Sequence, residues 1–219
     1  MKGQLAGYEH LRNPVWSAAK QPENHGYSFR EPVTTVPAAM RQLFPLISKE
    51  ICIVALAEAG REPKPLSVRV SGGRTTPVTI VVPPGTELRF KNADPFEHRL
   101  YAVGSTLFPP GDMASGAVRK WTVQAPGTYE IKDELSPSLR TWVVADARVA
   151  AVAYPSDDGR FTLDLDKPGQ YTLQAYFAGA PVGPARTVTS TGRNIDISAS
   201  PIVLATEAPR EAAEADKNP

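Results

Sequence analysis

Few side chains in this sequence can serve as nucleophile, general base or metal ligand. Its 219 residues hold one cysteine, Cys52, and three histidines, His10, His25 and His98. A single thiol excludes an internal disulfide and a thiolate-rich zinc site. Asp133, Ser136 and Met113 are among the carboxylates, hydroxyls and thioethers that could accompany an imidazole such as His98. Ser136, His98 and Asp133 have the composition of a hydrolytic triad. No G-x-S-x-G elbow presents the serine, so no catalytic residue is expected and the chain reads as something other than an enzyme. One imidazole, one carboxylate and a thioether are too few ligands for a tight metal site, which leaves His98 as a candidate for weak binding alone. A structural role, with His98 hydrogen-bonded to Asp133 or to a backbone carbonyl, is favoured over a ligand pocket lined by His98, Asp133 and Ser136.

Other chemistry is thinner. Lys and Arg number 24 against 23 Asp and Glu, a net charge of +1, so no strong field gathers nucleic acid or anionic lipid. No glycine-rich loop cradles phosphate, and no cofactor is expected. Asp157, Asp158, Asp164 and Asp166 bring calcium to mind, yet a calcium loop needs ligands converging from one loop, and Asp164 and Asp166 share a strand face. They read as solvated surface. Trp16, Tyr27 and Phe29 could form an aromatic sugar platform, but packing of their segment onto a sheet accounts for them better. No run approaches the ~18 apolar residues of a membrane span. Met1–Leu5 leads into no apolar stretch of the kind a signal peptide needs.

The elements that position these residues are strands. From about residue 66 to 205 short runs rich in Val, Thr, Tyr and Phe alternate with Pro, Gly and Asp turns. They fall at 66–70, 78–82, 86–90, 99–103, 119–123, 128–132, 141–145, 149–154, 160–165, 170–177, 186–189 and 194–197. Many short strands with no long amphipathic helix between them predict antiparallel sandwiches rather than βαβ units. Strands are also open over 3–11 and 14–18, and the apolar run Ile51–Leu56 places Cys52 on a buried strand. Residues 20–50, with four prolines and a helical turn or two possible over 38–44, form a long loop too apolar for a linker. Residues 207–219 read as a disordered, solvated tail.

Two family resemblances follow. The run from Pro77 through Pro84-Gly85-Thr86 and Phe90-Lys91-Asn92-Ala93-Asp94 to His98, continued by Trp121 and Pro126-Gly127-Thr128-Tyr129, resembles a cupredoxin domain. Cupredoxins then carry copper ligands as Cys-x-x-His-Pro-x-Met. Here that stretch is Asp133-Glu134-Leu135-Ser136-Pro137-Ser138-Leu139, followed by Thr141-Trp142-Val143-Val144. The resemblance therefore implies a cupredoxin fold whose thiolate, second imidazole and thioether positions hold Asp133, Ser136 and Leu139, with His98 alone retained. A blue-copper centre needs the thiolate, so electron transfer is not expected.

The second stretch, Asp158-Gly159-Arg160-Phe161-Thr162-Leu163 with Pro168-Gly169-Gln170-Tyr171-Thr172-Leu173-Gln174-Ala175, resembles the carboxypeptidase regulatory-like domain, a transthyretin-like sandwich. Its opening strands are missing just upstream; residues 3–7 with either 13–16 or 51–56 can supply them. The expected fold is all-β: two antiparallel sandwiches, with a cupredoxin-like Greek-key domain (62–147) inserted into a carboxypeptidase regulatory-like domain built from 1–61 and 148–206. The pairing is similar to secreted bacterial proteins of the methylamine-utilisation-like kind. It implies a periplasmic or extracellular module that contacts another envelope protein or its own oligomer. Trp16, Tyr27, Phe29 and Phe44 are the candidate partner surface. The alternatives are a periplasmic ligand- or metal-binding protein using the His98–Asp133 pocket, in copper or carbohydrate handling, and a hydrolytic enzyme.

Overall fold

Strands dominate the computed structural model, which describes residues 1–11, 45–192 and 195–205. In chain order they are β1 (Lys2–Ala6), β2 (Ile51–Leu56), β3 (Leu66–Ser71), β4 (Arg74–Thr76), β5 (Thr79–Val82), β6 (Thr86–Asn92), β7 (His98–Ala102) and β8 (Gly111–Met113). Then come β9 (Val118–Val123), β10 (Gly127–Asp133), β11 (Arg140–Ala145), β12 (Val149–Ala153), β13 (Arg160–Thr162), β14 (Gly169–Phe177), β15 (Ala180–Ser190) and β16 (Ile202–Val203). A 3-10 turn at Tyr8–His10 and the four-residue α1 (Ile47–Glu50) are the helices among the described residues, and none is long and apolar enough to cross a membrane.

β3 to β11 make one sandwich. A four-stranded sheet ordered β4-β3-β6-β9 faces a five-stranded sheet ordered β5-β11-β10-β7-β8. Alternation explains the packing: along β6, Thr86, Leu88, Phe90 and Asn92 are buried while the residues between them are not. Val68, Val70, Leu88, Phe90, Leu100, Trp121, Ile131 and Val143 fill the space between the sheets. Most strand pairs are antiparallel; β3 with β6 and β5 with β11 run parallel, as connections that cross between the sheets allow.

The remaining strands make a second sandwich, in which β12-β2-β14-β15 faces β13-β1-β16. β1 and β2 precede the first sandwich in sequence, yet they pair with strands that follow it. β1 lies between β13 and β16, and β2 between β12 and β14. β2 is buried at all six positions. One face sends Ile51, Ile53 and Ala55 into the second core. The other sends Cys52, Val54 and Leu56 against Val81 and Val144 of the first sandwich, together with Val149 and Tyr176. An apolar run without alternation is what a strand covered on both faces requires.

Several strand limits differ from the sequence pattern. The strand open over 3–11 stops at Ala6, where Gly7 turns left-handed (φ +74°) beneath the Ala205 carbonyl. The strand expected over 160–165 ends at Thr162, and that over 194–197 reduces to a single bridge between Asp196 and Lys2. β15 runs well beyond 186–189, because a bulge opposite Gln174 keeps it paired with β14 across Gly183 and Pro184. The Gln174 amide closes that bulge by donating to the Val182 and Gly183 carbonyls (3.0 and 3.3 Å). β4, β8 and β16 are too short to show as patterns.

Candidate functional site

His98 opens β7, whose residues alternate so that His98, Leu100 and Ala102 point into the first core. The neighbouring β10 runs antiparallel, with Asp133 at its end opposite Leu100. This register brings the Asp133 carboxylate to an imidazole that has no exposure to solvent. A polar ring so buried must find partners within the protein.

It finds two. Nδ1 of His98 bonds Oδ2 of Asp133, and Nε2 lies 3.0 Å from Oδ2 of Asp94. Each carboxylate is held in turn by two backbone amides. Asp133 Oδ1 accepts from the N–H groups of Arg99 and Leu135, both at 2.9 Å. Asp94 accepts from Gly72 (2.6 Å) and Gly73 (3.2 Å). Those two glycines turn the β3–β4 hairpin, with φ of +63° and +65°, the type I′ geometry that glycine adopts without strain. A neighbouring set of bonds shapes the Asp94 loop. Asn92 donates to the carbonyls of Phe96 (2.8 Å) and Met113 (2.9 Å) and accepts from the Asp94 N–H, while Ser115 donates to the Asp94 carbonyl. The result is a continuous chain of hydrogen bonds from the turn of one sheet, through Asp94, His98 and Asp133, to the loop that follows β10 in the other.

An ionised carboxylate only accepts, so a contact to one needs a proton on the ring nitrogen that faces it. The Gly72 and Gly73 amides and the His98 ring hold the Asp94 carboxyl below the usual aspartate range, against the opposing effect of burial. The Phe96 ring tilts over the imidazole at 5.0 Å between centroids.

Of the residues singled out in the sequence, the fold joins His98 and Asp133 and separates the rest. His98 and Asp133 are buried against each other, and both nitrogens of the ring are hydrogen-bonded. Ser136 is half-buried, and its hydroxyl bonds none of the described residues. Met113 faces His98 in register, with its carbonyl accepting from Asn92. Leu139 is a fully buried member of the core, and Cys52 lies in the junction between sandwiches. A blue-copper ion does not fit these residues. There is no thiolate at the site, the only imidazole has no free nitrogen, and no group of three acidic, histidine or cysteine side chains among the described residues is arranged around a metal position. Trp16, Tyr27, Phe29 and Phe44 lie outside the described residues, as do 14–18 and 38–44. Asp94, the third member of the cluster, was visible in the sequence only as part of a strand-ending motif. Its i, i+4 spacing to His98 and the Gly72-Gly73 pair were the available signals.

No protein-family model matches the chain, and no curated protein matches it. Among solved structures it is similar to a purple cupredoxin from Nitrosopumilus maritimus (16% identity, 36% of this chain and 98% of that one, TM-score 0.34). It is also similar to a reduced amicyanin variant (17%, 44% and 99%, 0.34). A third likeness is to the copper-containing nitrite reductase of Thermus scotoductus (21%, 42% and 25%, 0.35). The chain therefore spans about a quarter of the reductase's length. This last likeness corrects the expectation that the chain is not an enzyme, since a similar fold occurs within one; it assigns no reaction here.

Proposed function

We propose that the chain is an interaction or assembly module of the cell envelope, in which a cupredoxin-like sandwich is kept as a platform and a hydrogen-bonded charge cluster stands in place of electron-transfer copper. The observation that carries this reading is the double engagement of His98, with Asp133 at the thiolate position now bonded to the nitrogen a metal would need. Packing supports the platform: the second sandwich covers Val81 and Val144 on the outer face of the first, which makes a stacked body. The second sandwich, with its D-G-x-F-x-L and P-G-x-Y-x-L segments on β13 and β14, is the carboxypeptidase regulatory-like half of the pairing. The partner is another envelope protein or a second copy of the chain.

The test has two parts. After incubation with copper(II) and removal of excess, the protein should retain no stoichiometric copper and show no intense visible band. One copper per chain, lost in His98→Ala, would overturn the reading of the site. Cross-linking in native envelopes should then capture a defined partner or a homo-oligomer; recovery of the monomer alone would overturn the assembly role.

A further inference from the structure

The chain of bonds through His98 has an unusual placement. It runs from one sheet of the sandwich to the other, and it is anchored at both ends on backbone amides rather than on side chains. Asp94 gathers Gly72 N–H, Gly73 N–H and His98 Nε2; Asp133 gathers Arg99 N–H, Leu135 N–H and His98 Nδ1. The β3–β4 turn and the segment after β10 are thus both tied to one imidazole. The turn is closed by the pairing of Ser71 with Arg74, and its tip packs loosely: a Cβ at Gly72 would meet nothing within 4 Å, and one at Gly73 only the Ser138 hydroxyl, at 3.8 Å. Residues 134, 135, 137 and 138 are exposed.

We propose that Asp94, His98 and Asp133 form an acid-released clasp, which holds the β3–β4 turn and the 134–138 segment in place together and frees both at once when its carboxylates take up protons, while the two cores stay folded. The chemistry is direct. Protonation of the oxygen that faces the ring sets an O–H against a ring N–H, and it leaves the backbone amides a neutral carbonyl oxygen, a weaker acceptor than a carboxylate. Because the two carboxylates share one ring, loss of either leaves a buried imidazole with half its partners. The charged groups around the clasp do not substitute for these contacts. Arg99 is paired with Asp112 (2.5 Å) and Glu134 (3.4 Å) on the surface, Glu97 is exposed, and Arg74, exposed, follows the turn. Met113, opposite His98 on β8, carries no charge. The direction follows from Asp94, which is held more acidic in the folded protein than in an open chain. Its stabilising effect is complete above the open-chain range of about pH 4 and declines as pH falls below it. This inference stands on the cluster alone and does not depend on the envelope role.

Amide hydrogen exchange of the whole chain, followed from neutral to about pH 2.5 and corrected for intrinsic rates, tests it. The Gly72, Gly73 and Leu135 amides should lose protection together, about tenfold per pH unit for each proton taken up on opening. Phe90 and Ile131 should remain protected over the same range. In Asp133→Asn the shared transition should move or vanish. The 15N shifts of the His98 ring in the unaltered protein should follow the same curve, a readout that needs no variant to fold. Loss of protection only together with Phe90 and Ile131, or Gly72 and Leu135 opening at separate pH values, or no loss at all, would each overturn the clasp.

Discussion

Tyr154 of the second sandwich donates its hydroxyl to the backbone carbonyl of Thr79 in the first, at 2.9 Å. The Thr79 hydroxyl in turn accepts from the Ala178 N–H (3.2 Å), so β5 is stitched to the second sandwich at two points. Around these bonds lie Cys52, Val54, Val81, Val144 and Tyr176, an apolar junction continuous with neither core. Such a junction makes each sandwich part of the other's burial.

The first prediction concerns cooperativity. The chain should melt in a single calorimetric transition, with calorimetric and van't Hoff enthalpies in agreement. Val81→Asp buries a carboxylate at the junction and should cost several kcal/mol or split the transition in two. Tyr154→Phe should cost about 1 kcal/mol. Two separate transitions in the unaltered protein would refute the coupling.

The junction also silences the thiol. Burial pushes the Cys52 pKa up to about 12, partly offset by hydrogen bonds from Tyr154 and the Val81 backbone. A thiol reagent at pH 8 should therefore label Cys52 no faster than the protein opens, and Val81→Asp should label faster. Rapid labelling of the folded chain would show the junction to be open in solution.

How much of this was legible beforehand differs from place to place. Short runs rich in Val, Thr, Tyr and Phe between Pro, Gly and Asp turns marked the strands of the first sandwich, and on β6 a buried face alternates with one that is not. The Pro83–Thr86 turn closes with a Thr86 N–H to Pro83 carbonyl bond, as its residues suggested. β2 was ambiguous because a strand covered on both faces has no alternation, so residues 13–16 competed with 51–56 to supply an opening strand of the second sandwich. At the site, a hydrogen bond between His98 and Asp133 was among the roles expected of the imidazole. The role of Asp94 was not, because it depends on where the β3–β4 turn comes to rest, which no local pattern encodes.

Two buried acids should shift stability with pH in opposite directions. Burial raises the Glu50 pKa above its ordinary value, opposed by the Leu46 amide, which donates at 3.1 Å, and by the Arg74 charge. A raised carboxyl favours folding while it is protonated, and that advantage is lost as pH rises through its folded pKa. Glu50→Gln keeps an acceptor for Leu46 and removes the charge. It should raise the denaturation midpoint at pH 7 and make little difference near pH 4. Asp94→Asn should lower the midpoint at pH 7 by more than at pH 3. Urea titrations across this range decide both, and a destabilising Glu50→Gln at pH 7 would count against the burial argument.

Asp133 serves three donors, and its replacements should rank by how many they leave orphaned. Asp133→Ala strands the Arg99 and Leu135 amides and one nitrogen of a buried imidazole, a loss of about 3–5 kcal/mol. Asp133→Asn retains an oxygen for the amides and offers its own N–H to a neutral ring, so it should cost clearly less. Equal and small effects in urea denaturation would mean that the cluster is not a cohesive unit.

The last prediction tests the correspondence between this loop and a cupredoxin ligand loop. Asp133→Cys removes the carboxylate that occupies His98 Nδ1 and supplies a thiolate in its place. Ser136→His places an imidazole at a half-buried position with room at the surface, and Leu139→Met is close to volume-conserving in a fully buried site. Asp94 is untouched and would keep accepting from His98 Nε2, the kind of outer carboxylate contact that orients a metal-bound histidine. The triple variant should therefore bind one copper(II) and develop the intense visible band of a copper–thiolate centre, and His98→Ala added to it should abolish the band. A triple variant that keeps the strand-rich circular dichroism of the parent yet stays colourless with copper would show that the four positions do not converge, and that Asp133 stands on a loop of different origin.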